Sequence, residues 1–335
     1  MKKTKIIAEI GVNHNGKISL AKKLIDEAKD SGADYVKFQI YQTKEMAFRN
    51  LKKAPYQAKN SLIKKESQYE MLRKYELNLS DHMKIYNYCK KKKIKYLASV
   101  FDHKSLAFLE KLKFDYYKIP SSELTNYPLL NLFTKFHKKI LLSTGMAEKK
   151  DIKNVLNFLI KKGFEKKNIT LLHCNSSYPT PLEEVNLKKM NSLKNYFNVN
   201  IGYSDHTSGP ESAIIAATMG ASVIEKHVTL NKKLKGPDHV ASIEFTEFRN
   251  MNNFLSKLDK ILGSGKISIS KSEKENISKA NKFLVAKDKI KKGDKFSQNN
   301  LSSKRTGYGI HAKKFFKIVG KKSKKKYLKD EVIKI

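Results

Sequence analysis

The sequence predicts an α/β fold: a (β/α)8 barrel (TIM barrel) followed by a small C-terminal domain. Three observations carry this prediction. Over residues 5–262, strand-like runs alternate with helical ones about eight times, the pattern of βα units on a parallel sheet. Each strand-like run ends in polar or charged residues, where barrels place their chemistry. After residue 263 the chain turns to a Ser/Lys-rich stretch and then to short strand-like runs separated by turns. A doubly wound open sheet is the alternative. It usually carries a Gly-rich first turn, and Gly11-Val12-Asn13-His14-Asn15-Gly16 lacks the GxGxxG spacing.

The elements follow in order. Lys5 to Ile10 reads as strand and Ile18 to Lys29 as helix. Tyr35 to Tyr41 is strand. Asp81 to Lys92 is helix, with Ser80 as its N-cap. Lys95 to Val100, Phe114 to Ile119, Lys139 to Ser143 and Ile169 to His173 are strands. They alternate with helices at His103 to Leu112, Tyr127 to Phe136 and Lys149 to Lys161. Val199 to Tyr203, a short helix from Pro210 to Gly220, and Ala221 to Lys226 form a strand–helix–strand unit, so its strands should be parallel neighbours. Phe245 to Leu262 is a long final helix. Two insertions interrupt the pattern, residues 44–75 and 175–186, and long loops on barrels are usually functional. The expected domains are 1–263, a linker over 264–280, and a compact module over 281–335. A module that small buries little core by itself and needs a surface to pack on.

Composition narrows the function classes. No apolar run approaches the roughly 20 residues that span a bilayer, and Glu9 interrupts the N-terminal apolar run too early for a signal peptide. A soluble, cytoplasmic protein is expected. Cys89 and Cys174 lie far apart, with no CxxC spacing. The net charge of +37 invites a nucleic-acid reading, but only four of the 69 basic residues are Arg: Arg49, Arg73, Arg249 and Arg305. Arg is the planar fork that phosphates and base edges favour. A lysine excess spread along the whole chain is a compositional habit, and no nucleic-acid partner is expected.

The strand ends collect one set of residues. They are Glu9, Lys37 with Gln39, Ser99, Lys118 with Ser121 and Glu123, Ser143, Ser176 with Tyr178, Ser204 with His206, and His227 followed by Asp238. Two lysines and several hydroxyls facing one mouth suit a phosphate or a carboxylate. His206 and His227, on adjacent strand ends, suit a metal with open positions. Glu9, Glu123 and Asp238 offer acid–base groups or anchors for a polyol.

These residues stand in stretches that resemble the bacterial sialic acid synthases, the nonulosonic acid synthase family. The stretches are AEIGVNHNG (8–16), GADYVKFQ (32–39), YKIPSSELTNYP (117–128), LSTGM (142–146), LLHCNSSYPTP (171–181), GYSDHTSG (202–209), IEKHVTL (224–230) and GPDHVASIE (236–244). Residues 290–310 are similar to the family's antifreeze-like (SAF) domain, so the resemblance covers essentially the whole chain.

The resemblance implies condensation of phosphoenolpyruvate with an open-chain N-acetylhexosamine and water, releasing phosphate by C–O cleavage. It implies a divalent metal, typically Mn2+ with Mg2+ or Co2+ as substitutes, on His206 and His227. Lys37, Ser99, Lys118, Ser121, Ser143, Ser176 and Ser204 resemble the phosphoenolpyruvate contacts. Gln39, Glu123, Tyr178 and Asp238 resemble the sugar contacts, and Glu9 the general base. Arg305 resembles an Arg that reaches the neighbouring subunit's site and grips the N-acetyl group, which implies a domain-swapped homodimer. Three positions depart from the family pattern: Ser99-Val100-Phe101 for Thr-Pro-Phe, Ser122 for Gly, and Arg305-Thr306-Gly307 for Arg-Pro-Gly. The expected activity is N-acetylneuraminate synthase, using N-acetylmannosamine. An N,N'-diacetyllegionaminate synthase using 2,4-diacetamido-2,4,6-trideoxymannose is the alternative. A metal-dependent pyruvate aldolase and a basic nucleic-acid-binding protein are more distant ones.

Overall fold

The computed structural model describes residues 4–60, 63, 65–135 and 138–334. Phe136, the expected end of a helix, lies outside the described residues. The chain divides into two compact units, Met1–Leu262 and Gly263–Ile335.

In the first unit, eight strands lie side by side in chain order: β1 (Lys5–Gly11), β2 (Tyr35–Ile40), β3 (Lys95–Val100), β4 (Tyr116–Ile119), β5 (Lys139–Ser143), β6 (Ile169–His173), β7 (Asn200–Asp205) and β8 (Val223–Thr229). All are parallel, and β8 pairs back onto β1 with Glu9 opposite His227. The sheet is therefore a closed (β/α)8 barrel with helices outside it. Helix α1 (Ile18–Asp30) follows β1. The insertion after β2 folds into α2 (Thr43–Met46), α3 (Pro55–Asn60) and α4 (Gln68–Tyr75), ahead of α5 (Leu79–Lys92). Helices α6 (His103–Leu109), α7 (Tyr127–Phe133), α8 (Lys149–Lys161), α9 (Lys188–Phe197) and α10 (Glu211–Thr218) follow β3 to β7.

Side chains alternate across a strand, so every second residue faces the barrel interior. The outward set, including Ile6, Ala8, Val36, Phe38, Ala98 and Tyr117, packs with the helices into the main core. The inward set forms two layers. Ile7, Tyr35, Leu97, Tyr116, Leu141, Leu172 and Val223 pack into a separate apolar plug. The remaining strand, β7, supplies Gly202, where a Cβ would come within 2.6 Å of Leu172 and 2.8 Å of the Val223 carbonyl. Two residues further along each strand come Glu9, Lys37, Ser99, Lys118, Ser143, Cys174, Ser204 and Glu225. The apolar plug is the floor on which this polar layer stands.

Lys226 is one of the outward positions that break the apolar rule. It is fully buried, pairs with Asp205 at 2.9 Å and donates to the Thr207 carbonyl at 2.6 Å. A buried charge of this kind persists because it is paired and hydrogen-bonded.

The elements differ from the sequence reading in several places, including a helix, α9, between β6 and β7 that it did not expect. The cap of α5 is Asn78, whose side chain accepts from the Asp81 backbone N–H; Ser80 lies in the first turn and donates to Asn78. The long final helix is broken into α11 (Phe245–Leu255) and α12 (Leu258–Leu262). A two-residue strand, β9 (Ile243–Glu244), extends the sheet beside β8. The expected linker carries α13 (Lys271–Ala280), started by a capping box between Ser270 and Glu273.

The second unit has its own core of Leu284, Ala286, Ile290, Phe296, Leu301, Ile318, Tyr327 and Ile333. Strands β10 (Phe283–Ala286) and β11 (Leu301–Lys304) pair antiparallel within it, and a short helix, α14 (Phe315–Ile318), packs its Ile318 into the same core.

His82 is fully buried against Phe38, with Nδ1 3.1 Å from the Tyr96 hydroxyl. Burial pushes its pKa down to about 3, and that of His14 to about 4. In the unfolded chain each would protonate near pH 6.5. The unfolded state therefore gains protons first, and stability falls as pH drops below about 6.5, by up to about 1.4 kcal/mol per pH unit for each such histidine. Urea unfolding of wild type at pH 6.0 and 5.0 should show this loss, and His82→Gln should reduce the slope by one histidine's share. An equal slope in the variant would exclude His82 as a source of acid sensitivity.

Candidate active site

The polar layer opens into a cavity of about 590 Å³ at the C-terminal end of the barrel. Glu9, Lys37, Gln39, Ser99, Lys118, Ser121, Ser143, Ser176, Tyr178, Ser204, His206 and His227 all line it. The strand register explains the grouping: Glu9 lies opposite both Lys37 and His227, Ser99 opposite Lys118, and Ser204 opposite Glu225.

Four charged groups form its base. Lys37 Nζ is 3.0 Å from Glu9 and 3.5 Å from Glu225, and donates to Ser99 at 2.8 Å. Lys118 Nζ is 3.4 Å from the same Glu225 oxygen and donates to Ser143 at 2.9 Å. Ser204 donates to that oxygen at 2.9 Å. Burial opposes every one of these charges, and the pairing decides the outcome. Burial would raise Glu225, but Lys118 and Lys37 outweigh it and hold it down at about 2. For Glu9 burial wins over Lys37, and its pKa rises to about 7. Burial works against the Lys37 ammonium, yet Glu225 and Glu9 hold its pKa above the usual value. Burial lowers Lys118, with only partial relief from Glu225. The sequence reading placed Glu225 at the end of β8 but gave it no role. Its signal was its position two residues before His227, on the same face of an apolar strand.

A second cluster sits beside Lys118. The Gly145 N–H donates to Ser121 Oγ at 3.0 Å, and Ser121 lies 3.2 Å from Cys174 Sγ. A Cβ at Gly145 would stand 2.4 Å from Ser176 Oγ and 2.8 Å from Ser121 Oγ. Glycine is therefore required for two hydroxyls to converge here.

The histidine rings lie 5.4 Å apart, with Tyr178 against both, 4.1 Å from His206 and 5.7 Å from His227. Burial pushes His206 down to about 4 and His227 well below its usual value, so both are neutral at pH 7. His206 Nδ1 is 2.5 Å from the Asn175 carbonyl. A carbonyl only accepts, so Nδ1 holds the proton and Nε2 carries a lone pair. His227 Nδ1 and Glu9 Oε2 are buried with no hydrogen-bond partner among the described residues. No cluster of three or more His, Cys, Asp or Glu side chains suited to a metal occurs among the described residues. The donor set fits a cation held by two imidazoles, with its other positions left to substrate and water.

Two residues expected in the barrel's own site, Asp238 and Glu123, do not line the cavity. Asp238 is buried beside His227, its carboxylate 4.0 Å from Nδ1, and burial raises its pKa to about 6. Gly11, with φ +53°, leaves the space in which Asp238, Glu9 and His227 meet, since a Cβ there would be 3.3 Å from each. Glu123 instead accepts from Asn126 at 2.6 Å and Ser122 at 3.1 Å, at the start of α7. Arg305 belongs to the second unit, directly after β11, and is exposed. The sequence reading missed Tyr56, Gln57, Gln68, Met46 and Leu72, which the insertion brings to the cavity wall. Nothing in their spacing points inward; the insertion's fold decides it.

A barrel with a polar floor of paired lysines and a histidine pair at its mouth defines a class of enzymes that act on small anionic substrates. The family assignment follows from comparison: residues 24–267 match the NeuB family model, and the chain belongs to that family of nonulosonic acid synthases. It is 48% identical over 333 residues to the N,N'-diacetyllegionaminic acid synthase of Campylobacter jejuni, covering 99% of each chain. It is 37% identical to the enzyme of that name from Legionella pneumophila, covering 94% of this chain and 89% of that one. Among solved structures, the N-acetylneuraminic acid (sialic acid) synthetase of Leptospira borgpetersenii superposes with a TM-score of 0.70 at 32% identity, covering 82% of this chain and 90% of that one.

Gly145→Ala should push Ser121 and Ser176 apart and weaken inorganic phosphate binding about tenfold, the worth of roughly one hydrogen bond to a charged group. Calorimetric titration with phosphate measures this. Unchanged affinity would remove this hydroxyl pair from the anion site.

Proposed function

We propose that this chain condenses phosphoenolpyruvate with 2,4-diacetamido-2,4,6-trideoxymannose and water, forming N,N'-diacetyllegionaminate and phosphate. The observation that carries the substrate choice is the 48% identity, over 99% of both chains, to a protein of that activity. It favours this reading over N-acetylneuraminate synthesis from N-acetylmannosamine, the activity first expected from the sequence. The matched structure of an N-acetylneuraminic acid synthetase stands at 32%.

In this reading Lys37 and Lys118, with Ser99, Ser143 and Ser204, bind the phosphate and carboxylate of phosphoenolpyruvate. Ser121 and Ser176 complete the cradle, with Ser121 held in place by the Gly145 N–H. Such groups are fixed before the reaction, so they stabilise the leaving phosphate without reorganising. Glu225 holds the two ammonium groups in place. A divalent cation on His206 and His227, manganese or else magnesium or cobalt, would polarise the sugar aldehyde as a Lewis acid. Carbon 3 of phosphoenolpyruvate bonds to the aldehyde carbon, and water adds at carbon 2. Glu9 takes a proton from that water while the former aldehyde oxygen gains one and becomes a hydroxyl; a carboxylate with its pKa raised to about 7 is matched to this task near neutral pH. The carbon 2–oxygen bond to phosphate then breaks, leaving the ketone. Gln39 and Tyr178 face the sugar. Asp238 lies behind His227, its carboxylate 4.0 Å from Nδ1.

The C-terminal unit is read as an antiparallel antifreeze-like module whose Arg305 serves a partner's site in a domain-swapped homodimer. Arg305→Lys should then raise the KM for the sugar several-fold and leave that for phosphoenolpyruvate nearly unchanged, because an ammonium does not reproduce the guanidinium's planar fork. Equal effects on both constants would argue against a sugar contact.

The central test is phosphate release from phosphoenolpyruvate with each hexose in turn. The trideoxy sugar should give the highest kcat/KM, and free pyruvate should give no product. His206→Ala and His227→Ala should abolish release, as should a chelator, with manganese restoring the wild type. Turnover of pyruvate without phosphate release would identify an aldolase instead. A higher kcat/KM for N-acetylmannosamine would return the chain to N-acetylneuraminate synthesis.

A further inference from the structure

The cavity has two chemically different ends. One carries the lysines and hydroxyls. The other is a wall of Met46, Ala54, Tyr56, Gln57, Leu72 and Phe101. Met46, Leu72 and Phe101 belong to a small apolar cluster of their own, with Val12, Tyr41, Met71 and Tyr75, separate from the barrel core.

This wall is built and held. Tyr56 stacks on Tyr178 at 4.8 Å, and Tyr178 stacks on His206 at 4.1 Å. Asn60, at the end of α3, donates to the Pro237 carbonyl at 3.1 Å and the Tyr178 carbonyl at 3.5 Å, fastening the insertion to two strand-end loops. The Tyr41 hydroxyl donates to the Leu72 carbonyl at 3.0 Å. Gln57 and Gln68 are the amides of this wall, tied to each other: the Gln57 oxygen accepts from the Gln68 amide and from the Ala54 N–H, each at 3.0 Å. A carbonyl oxygen has two lone pairs, so Gln57 has no acceptor site left for a sugar hydroxyl. Its amide nitrogen donates to the Tyr56 hydroxyl at 3.3 Å.

We infer that this wall is the specificity-determining subsite for the part of the sugar remote from the aldehyde, and that it selects a deoxygenated, N-acylated hexose over a fully hydroxylated one. The inference rests on the reading of the chain as a synthase that joins phosphoenolpyruvate to a hexosamine. With the aldehyde at the histidine pair, two ring-to-ring steps lead through Tyr178 to Tyr56, so the far carbons of an open-chain hexose meet this surface. A C6 methyl and the methyl of a C4 acetamido group lose water favourably against Met46, Leu72 and Phe101. A C6 hydroxyl against those three side chains gives up its water without regaining a hydrogen bond from them.

An apolar pocket discriminates a methyl from a hydroxylated counterpart by up to about a hundredfold. The test compares kcat/KM for 2,4-diacetamido-2,4,6-trideoxymannose and N-acetylmannosamine in wild type, Met46→Gln and Ala54→Ser. Both positions are only half-buried, so the variants should fold, and the KM for phosphoenolpyruvate reports that the anion end is intact. The ratio of the two kcat/KM values should fall about tenfold or more in Met46→Gln and several-fold in Ala54→Ser, with the KM for phosphoenolpyruvate within twofold of wild type. A wild type that prefers the trideoxy sugar, with variants whose ratio stays within twofold of it, would overturn the subsite and leave the proposed reaction standing. A wild type that prefers N-acetylmannosamine would overturn the proposed substrate and the subsite together.

Discussion

The site depends on keeping four charges out of water at once. Lys37, Lys118, Glu9 and Glu225 are each almost wholly buried. A single buried ion would cost several kcal/mol, and only close, well-bonded partners offset that cost. Glu225 is the member that makes the arrangement possible, because one of its oxygens meets both lysines and Ser204. Without it two ammonium groups would face each other across a dry cavity. The cluster also keeps one oxygen each of Glu9 and Glu225 unbonded among the described residues, so the layer retains acceptors for an incoming donor.

The barrel supplies this cluster through alternation alone. Each strand contributes an apolar residue to the plug and, two residues later, a polar one to the cavity floor. No loop has to be ordered for the lysines to meet their partners, which suits an anion site that must be rigid before substrate arrives. The loops add the rest. The turn at Gly145 brings hydroxyls together, the segment after β6 brings Tyr178 onto the histidines, and the insertion after β2 closes one side.

Much of this was legible in the sequence, and the reason is periodicity. Strand-like runs and the residues at their ends identified the barrel and twelve of the residues that line its cavity. Glu225 was placed at a strand end but given no role, because it stands beside Lys226 and His227 in a crowded triplet, and the two-residue period assigns it inward and Lys226 outward to Asp205. Glu123 was expected at the cavity; its carboxylate is instead engaged by Asn126 and Ser122. The insertion could be recognised as long but not as a wall, because its three short helices are placed by contacts such as Asn60 to Pro237 that join distant parts of the chain. The helix over residues 271–280 was overlooked because its polar composition resembles a linker, although Ser270 and Glu273 carry a capping signature.

The closure of β8 onto β1 also governs how such a chain reaches its final state. Pairing the first strand with the last brings together residues far apart in sequence, and contacts of that kind form late. During synthesis Lys37 and Lys118 emerge well before Glu225, which lies in the last strand to arrive. Until then the two ammonium groups have only Glu9 to share and must keep their hydration shells. An unfinished barrel therefore holds a wet interior. When β8 docks, Glu225 replaces that water, the apolar plug gains Val223, and His227 moves beside Glu9. Closure of the barrel and completion of the charged floor are therefore one and the same structural event.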